Sequence, residues 1–319
     1  MVDGLPPSRM GEFDLIARLF APMTQGALSA KNLRDDAAFI KVSPGCELVA
    51  TVDTVIAGVH FRHDDPPDLI ARKALRVNLS DLAAKGAKPI GFLQALSLND
   101  GISDGYLEKY ASGLAADVAT FKCPLLGGDT TSSQGPLSIS ITAFGEVESG
   151  KAVLRSGAKP GDILFVTGTI GDSALGLACL MGSLPESDAL IQRYRLPQPR
   201  LGLPLSDFAN ACLDVSDGLV ADVGHLCSAS GVGAVIERAK IPLSVDARAA
   251  VARDEIWWEK ILTGGDDYEL AFTVPPSRVA DATRLNATAI GTITAGSGVQ
   301  VFDDAGQLVV LSATGYRHR

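Results

Sequence analysis

The stretch Gly127-Gly128-Asp129-Thr130-Thr131 places a carboxylate and two hydroxyls directly after a pair of glycines. It follows residues 124–126, which lead out of a predicted strand, so it predicts a tight turn at a strand end. A single carboxylate held in this way is the oxygen ligand that Mg²⁺ prefers in proteins. Similar combinations of an acid with a glycine or a hydroxyl recur at Arg34-Asp35-Asp36, Thr51-Val52-Asp53, Asn78-Leu79-Ser80-Asp81, Asp214-Val215-Ser216-Asp217-Gly218 and Gly264-Gly265-Asp266-Asp267. Their recurrence predicts an ATP-dependent enzyme that uses several metal ions.

Each motif alone has a simpler structural explanation. Asp35-Asp36 fits an Asx turn, and Asp81 fits an i,i+4 ion pair with Lys85. Gly127-Gly128-Asp129 fits an ordinary strand exit. Acidic motifs in both halves of the chain exceed what turn chemistry requires, so we interpret them together as metal and phosphate ligands.

The composition is that of an ordinary globular protein. The chain has 319 residues, of which 46% are hydrophobic and 20% charged, and this length allows two domains with a sizeable core. A net charge of −9 argues against a nucleic-acid surface. An acidic chain still binds phosphates where metal ions supply the positive charge locally.

The sequence gives no sign of export or of a membrane span. No apolar run approaches the ~20 residues of a membrane span, and the first residues lack the apolar core of a signal peptide. We therefore expect a cytoplasmic enzyme. Buried thiols are expected, rather than ligands or disulfides, at Cys46, Cys123, Cys179, Cys212 and Cys227.

The order of strands and helices predicts a mixed α/β fold. Apolar patterns predict strands at 47–53, 137–143, 163–166, 211–215 and 268–274, and helices at 11–20, 67–86, 104–121, 174–181 and 219–229. The strand period puts Thr51 and Asp53 on one face, and the helix period does the same for Asn78 and Asp81. Glycine and charge concentrate around residue 150, which predicts two domains, 1–150 and 151–319.

Common nucleotide signatures are missing from the sequence. It contains neither a G-x-x-x-x-G-K-[ST] phosphate loop nor the motifs of a protein kinase. Gly168-Thr169-Ile170-Gly171-Asp172-Ser173 is a candidate phosphate turn because a strand-to-helix turn offers backbone N–H groups to an anion. A plain glycine-rich connection explains it equally well. His60 and Arg155 are candidate phosphate contacts, with a loop role and a surface role as their respective alternatives.

In their order along the chain, these motifs resemble the thiamine-monophosphate kinases, a family of the aminoimidazole-ribonucleotide-synthetase-like ATP-binding superfamily. The resemblance spans about residues 11–316, and the phrase around His60 separates this family from its relatives. The matching stretches are Gly11-Glu12-Phe13-Asp14-Leu15-Ile16, Asp35-Asp36-Ala37, Val52-Asp53-Thr54-Val55-Ile56-Ala57-Gly58-Val59-His60-Phe61, Val77-Asn78-Leu79-Ser80-Asp81-Leu82-Ala83-Ala84, Gly127-Gly128-Asp129-Thr130-Thr131, Arg155-Ser156-Gly157-Ala158-Lys159-Pro160-Gly161-Asp162, Asp214-Val215-Ser216-Asp217-Gly218-Leu219 and Gly264-Gly265-Asp266-Asp267-Tyr268-Glu269-Leu270.

The resemblance implies Mg²⁺-dependent transfer of the ATP γ-phosphoryl group to thiamine monophosphate. It also implies a homodimer in which N-terminal sheets pair into a β-barrel, with a C-terminal α/β domain completing the site. It assigns magnesium to Asp36, Thr51, Val52 (by its backbone), Asp53, Asp81, Asp129, Asp214 and Asp217. It assigns ATP to Tyr110, Gly128, Asp129, Arg155 and Ser216, substrate to His60, Asp266 and Tyr316, and the catalytic roles to Asp53, Asp217 and Arg155.

Three positions depart from the family pattern. Arg34 replaces the glycine before the acidic pair, and Val52 replaces a threonine. Asp266 replaces a glutamate of the family pattern, and its side chain is one methylene shorter. Two other readings stay open: another synthetase of the superfamily, of the aminoimidazole ribonucleotide or selenophosphate type, and a nucleotide or metal sensor without catalysis. No cysteine before Cys46 could serve the selenophosphate chemistry.

Overall fold

The computed structural model describes residues 10–316, apart from the side chain of Glu12. Contacts between backbone positions divide the chain into two units. The N-terminal unit comprises the residues up to Asn78 together with Pro89–Glu146, and the C-terminal unit comprises Leu79–Lys88 together with the residues from Val147 onward. The domain boundary expected at residue 150 lies close to Val147, where the chain passes from the N-terminal to the C-terminal unit. As functional domains, 1–150 and 151–319 stay a prediction.

A four-stranded sheet forms the centre of the N-terminal unit. Its strands are β1 (Cys46–Ile56), β2 (Lys88–Leu98), β3 (Leu125–Ser132) and β4 (Ser138–Glu148), in the order β1-β4-β2-β3. The helices in this part of the chain are α1 (Glu12–Leu15), α2 (Pro67–Ala84) and α3 (Asp104–Phe121), with helical turns at Ile16–Phe20, Ala21–Thr24 and Leu28–Leu33. The helices predicted at 67–86 and 104–121 are confirmed, and the short helix expected at 11–20 is formed by α1 and a π-helix at Ile16–Phe20.

Alternation along β2 gives the two faces of this sheet different neighbours. Gln94 is buried and faces α3, where the Tyr110 hydroxyl donates to its Oε1 at 2.7 Å. Leu93 points to the opposite face and packs with Leu126 and Phe144 in a small apolar cluster. One face therefore packs on a helix, and the other carries little apolar cover.

The C-terminal unit is built on a six-stranded sheet. Its strands are β5 (Ile163–Val166), β6 (Ala211–Asp214), β7 (Gly233–Glu237), β8 (Leu270–Val274), β9 (Thr288–Thr294) and β10 (Gly298–Phe302), in the order β10-β7-β9-β5-β8-β6. Neighbouring strands are antiparallel, except for the parallel pair β10 and β7. The helices are α4 (Asp172–Leu180), α5 (Asp188–Arg195), α6 (Leu219–Ser230), α7 (Val245–Arg253), α8 (Trp257–Thr263) and α9 (Val279–Arg284), with short turns at Leu205–Asp207, Arg238–Lys240 and Pro276–Arg278.

Both faces of the six-stranded sheet are buried. Leu164 and Val166 of β5 belong to the large apolar cluster that includes residues of helices α4 to α8. Phe165, between them, faces the other way and stacks on Phe272 with ring centroids 5.6 Å apart. A strand covered on both sides reads as a continuous apolar run, which is why β5 was predicted with its observed bounds.

The turn predicted at Gly127-Gly128 is wrong. Both glycines lie inside β3, and Gly128 is the direct partner of Gln94 in the parallel pair of β2 and β3. A Cβ atom on Gly128 would lie 2.0 Å from the carbonyl oxygen of Gln94. Glycine inside a strand marks such a close approach of a neighbouring backbone.

Other expectations from the sequence can be checked in the same residues. All five cysteines are free, and all but the half-buried Cys46 are buried. Among the helices of residues 10–316, none combines the length and apolar character required to cross a membrane.

Candidate active site

Three of the predicted magnesium ligands lie on strand β1. Thr51, Val52 and Asp53 occupy the middle of the strand rather than its end. The backbone N–H of Asp53 donates to Asn78 Oδ1 at 3.0 Å, and Asn78 Nδ2 donates to the Ala74 carbonyl at 3.0 Å. Asn78 of helix α2 therefore fixes the position of Asp53 through its side chain.

Two more of the predicted ligands line a cavity in the N-terminal unit. The cavity has a volume of about 710 Å³, and Asp36, Gly128 and Asp129 lie in its wall together with Asp35. The Asp36 N–H donates to Asp35 Oδ1 at 2.9 Å, which is a bond to the next residue and not the Asx turn considered from the sequence. No lysine or arginine is found among the described residues that line it. An oxygen-rich wall without a positive charge is a donor set that fits Mg²⁺.

Tyr110, a predicted ATP contact, lies behind the sheet rather than in this cavity. Its side chain is 1% exposed, and it is absent from the described residues of the cavity wall. Burial raises the pKa of its hydroxyl, with a further contribution from Tyr106. The structure therefore places this hydroxyl in a buried hydrogen bond with Gln94.

His60 is oriented by the backbone that precedes it. Its Nδ1 accepts a hydrogen bond from the Ile56 N–H at 3.1 Å, and its own N–H donates to the Ile56 carbonyl at 2.9 Å. Lys73 Nζ donates to the His60 carbonyl at 3.0 Å. In the neutral ring the proton then sits on Nε2, which makes that nitrogen a hydrogen-bond donor.

In the C-terminal unit, one buried carboxylate organises the loop after β6. The N–H groups of Ser216, Asp217 and Gly218 donate to the same oxygen of Asp222, at 2.9, 2.9 and 3.1 Å. Burial, together with the charge of Asp217, raises the pKa of Asp222 to about 7, although the three N–H groups oppose the shift. Asp214 ends β6 and is buried. The sequence predicted Asp214, Ser216 and Asp217, but not Asp222.

Two other segments are hydrogen-bonded to this loop and bring Asp266 and Tyr316, two of the predicted substrate residues, to it. The Asp266 N–H donates to the Ser216 carbonyl at 2.8 Å, and the Tyr316 N–H donates to the Asp217 carbonyl at 2.9 Å. Gly265 has a φ of 71°, and a Cβ atom there would lie 2.3 Å from the Ser216 carbonyl oxygen. The close approach and the positive φ both require glycine at this position.

Asp81 and Arg155 are associated with Lys85, at the end of helix α2. Burial lowers the pKa of the Lys85 ammonium and Arg155 lowers it further, whereas Asp214 and Asp81 raise it. The structure thus groups two predicted magnesium ligands and one predicted ATP contact around a lysine. Arg155 is exposed and Asp81 is half-buried.

Two family models match the chain. These are AIR synthase related protein, N-terminal domain, over residues 34–147, and AIR synthase related protein, C-terminal domain, over residues 159–304. A thiamine-monophosphate kinase from Caulobacter vibrioides is 42% identical over 325 residues, which cover 98% of this chain and 91% of that protein. This chain belongs to the thiamine-monophosphate kinase family.

Solved structures agree with this membership of the thiamine-monophosphate kinase family. The crystal structure of the enzyme from Stenotrophomonas maltophilia is 39% identical, covers 86% of this chain and 90% of its own, and has a TM-score of 0.78. A structure of AaThiL complexed with AMPPCP and TMP is 35% identical, covers 97% of both chains, and has a TM-score of 0.79. The predicted two-domain, mixed α/β architecture is confirmed.

The phosphate turn expected at 168–173 is not available to an anion. The Gly171 N–H donates to Asp267 Oδ2 at 2.8 Å, and the Ser173 N–H donates to Asp267 Oδ1 at 3.4 Å. Asp267 is buried, and burial raises its pKa well above the usual value. The carboxylate of Asp267 therefore occupies the place that the sequence assigned to a phosphate. For Asp222 the available signal was an acid in the first turn of helix α6, whereas Asp267 belongs to the acidic motif before strand β8.

Proposed function

We propose that this chain is a thiamine-phosphate kinase, which transfers the γ-phosphoryl group of ATP to thiamine monophosphate and yields thiamine diphosphate and ADP. The supporting observation is the likeness, over nearly the whole chain, to AaThiL complexed with AMPPCP and TMP. The family's ligand-bearing motifs are present from Asp36 to Tyr316.

The chemistry requires charge neutralisation more than a base. The acceptor is itself a phosphate, which is already partly ionised near neutral pH. Two unit charges ~4 Å apart repel by about 4 kcal/mol at an effective dielectric near 20. When bound, Mg²⁺ offsets this repulsion and stabilises the charge of a loose transition state.

We assign the magnesium ions to the carboxylates of both units. In the N-terminal unit the ligands are Asp36, Thr51, Val52 through its carbonyl, Asp53 and Asp129; in the C-terminal unit they are Asp81, Asp214 and Asp217. The acidic cavity wall supports the assignment of Asp36 and Asp129. The hydrogen bonds to Asp222 support that of Asp217, because they hold its backbone in place.

The remaining residues bind the two phosphate-bearing molecules. Gly128, in the cavity wall, offers its backbone to ATP, and exposed Arg155 supplies a positive charge for its phosphates. His60 donates from Nε2 to the acceptor phosphate. Asp266 and Tyr316 are assigned to the cationic thiamine rings, and Tyr316 is 49% exposed. Ser216 completes the ATP contacts, and Tyr110 has the least structural support among them.

We also propose a cytoplasmic homodimer that pairs N-terminal sheets. Strand β1 is at the edge of its sheet, and Leu48 and Val52 on it are 45% and 63% exposed. Exposed apolar side chains on an edge strand favour pairing with another strand. Sedimentation of the purified chain tests this part of the proposal.

The decisive experiment incubates the purified chain with ATP, Mg²⁺ and thiamine monophosphate and measures thiamine diphosphate and ADP. Aminoimidazole precursors in place of thiamine monophosphate are the control for the other synthetases of the superfamily. Stoichiometric formation of both products is expected. ATP binding without ADP formation would favour the sensor instead.

A further inference from the structure

Lys85 joins three segments that carry predicted ligands. Its Nζ donates to the Cys212 carbonyl at 3.2 Å, two residues before Asp214. Its own carbonyl accepts from the Val153 N–H at 3.2 Å, and the Leu154 carbonyl, next to Arg155, accepts from the Cys212 N–H at 2.9 Å. These three hydrogen bonds tie the end of α2 to strand β6 and to residues 153–155.

The ammonium of Lys85 also has carboxylates near it. Asp81 lies in the last turn of α2, four residues before Lys85, and this spacing favours an ion pair between the two side chains. Asp81 and Asp214 both favour the charged form of Lys85, against burial and against Arg155. The lysine is thus a fixed positive charge among carboxylates assigned to Mg²⁺.

We propose that Lys85 is a positioning residue that holds Asp81, Asp214 and Arg155 together and partly neutralises the two carboxylates before metal binds. This inference rests on the proposed function for the roles of those three residues. A resident positive charge weakens the attraction of the carboxylates for a free divalent cation. Mg²⁺ then binds at this place more weakly to the free chain than it does when the phosphates of the nucleotide are present.

The test is Mg²⁺ titration of the thermal unfolding temperature of the full chain, without substrate. Lys85→Met removes the charge and keeps much of the side-chain length, and Lys85→Arg restores the charge. Lys88→Met is the matched control, since Lys88 is an exposed lysine in the same stretch of the C-terminal unit. The Met variant of Lys85 is expected to reach half-maximal stabilisation at about tenfold lower Mg²⁺ than the wild type.

The variants separate a charge effect from a packing effect. A merely structural lysine would lower the unfolding temperature in Lys85→Met without moving the Mg²⁺ midpoint. The Arg variant is expected to return the midpoint to the wild-type value, and Lys88→Met to leave it there. An unchanged midpoint in Lys85→Met, or no response to Mg²⁺ in the wild type, would overturn the inference.

Kinetic assays distinguish this inference from the proposed function. If wild-type protein responds to Mg²⁺ but forms no thiamine diphosphate, the proposed function fails and the midpoint comparison still decides the role of Lys85. If the enzyme is active, Lys85→Met is expected to raise the KM for ATP by more than it lowers kcat, because Arg155 loses its support. An equal KM for ATP in the wild type and in Lys85→Met would contradict this expectation.

Discussion

The two units hold their predicted ligands in opposite ways. In the N-terminal unit, Asp36 and Asp129 are exposed in the wall of a cavity. In the C-terminal unit, a buried carboxylate, Asp222, receives three N–H groups from the loop that carries Asp217. The difference teaches that one signature, an acid near glycine, serves two purposes: some carboxylates line a cavity, and others hold the backbone of a loop.

The largest effect is expected from the ligand carboxylates of both units. Asp129→Asn and Asp217→Asn should each lower turnover on the order of 10²–10³, because a charged ligand of the metal is lost. Neither side chain is buried, so the unfolding temperature should change little. Steady-state assays at saturating Mg²⁺ measure this, with exposed Asp188→Asn as the control. A wild-type rate in either variant would remove that residue from the metal site.

A buried carboxylate between two arginines occurs in each unit, which allows a matched comparison of stability. Glu269 binds Arg193 at 2.8 Å and Arg200 at 2.5 Å, and Asp117 binds Arg72 at 3.0 Å and Arg76 at 2.5 Å. Glu269→Gln and Asp117→Asn should each lower the free energy of unfolding by about 3–5 kcal/mol, because the arginines lose their counter-charge. Urea unfolding measures the loss.

The control for these variants is Asp281→Asn, whose partly exposed carboxylate pairs with Arg278 and Arg284. It should change stability little, because solvent screens such pairs. A comparably small loss in Glu269→Gln would show that the buried cluster does not stabilise the C-terminal unit.

The pH dependence of stability should expose the buried carboxylate of the C-terminal unit. The pKa of Asp267 is raised above its ordinary value of 3.8, chiefly by burial. The folded chain therefore holds this proton more tightly than the unfolded chain, and the contribution of Asp267 to stability falls as the pH rises above about 4. Asp267→Asn should flatten this part of the profile, measured by urea unfolding between pH 4 and pH 8. An unchanged slope would contradict the assignment.

The smallest effect is expected in the N-terminal unit at Tyr110. Tyr110→Phe removes the hydrogen bond to Gln94 and leaves a buried amide oxygen unpaired, at a cost of about 1–2 kcal/mol. Chemical unfolding measures this loss. A KM for ATP that rises while stability is unchanged would instead place the hydroxyl at the nucleotide.

Apolar periodicity predicted the elements whose environment is uniform along the chain. Strand β5 and helix α3 were predicted with their observed bounds, because one is buried on both faces and the other shows a continuous helical pattern. Strand β3 was missed because a pair of glycines is typical of a turn. In β3, however, glycine at position 128 allows the close approach of the Gln94 backbone. Local sequence does not show which neighbouring backbone a glycine will meet.

Motif order predicted residues for ligand contacts, which stay predictions, and it missed a residue that supports one of them. Asp217 was predicted, but Asp222 was not, because a carboxylate in the first turn of a helix is common and its partners are decided by the fold. The fold also decides the partners of Asp267, whose carboxylate accepts from the Gly171 N–H where a phosphate was expected.

The three hydrogen bonds to Asp222 have a thermodynamic consequence for ligand binding. Because these bonds hold the loop at 216–218 in the folded chain, its conformational entropy is lost during folding rather than at the encounter with nucleotide. Replacing that single anchor should therefore make association slower and calorimetric binding entropy less favourable, even at conditions where the chain remains folded.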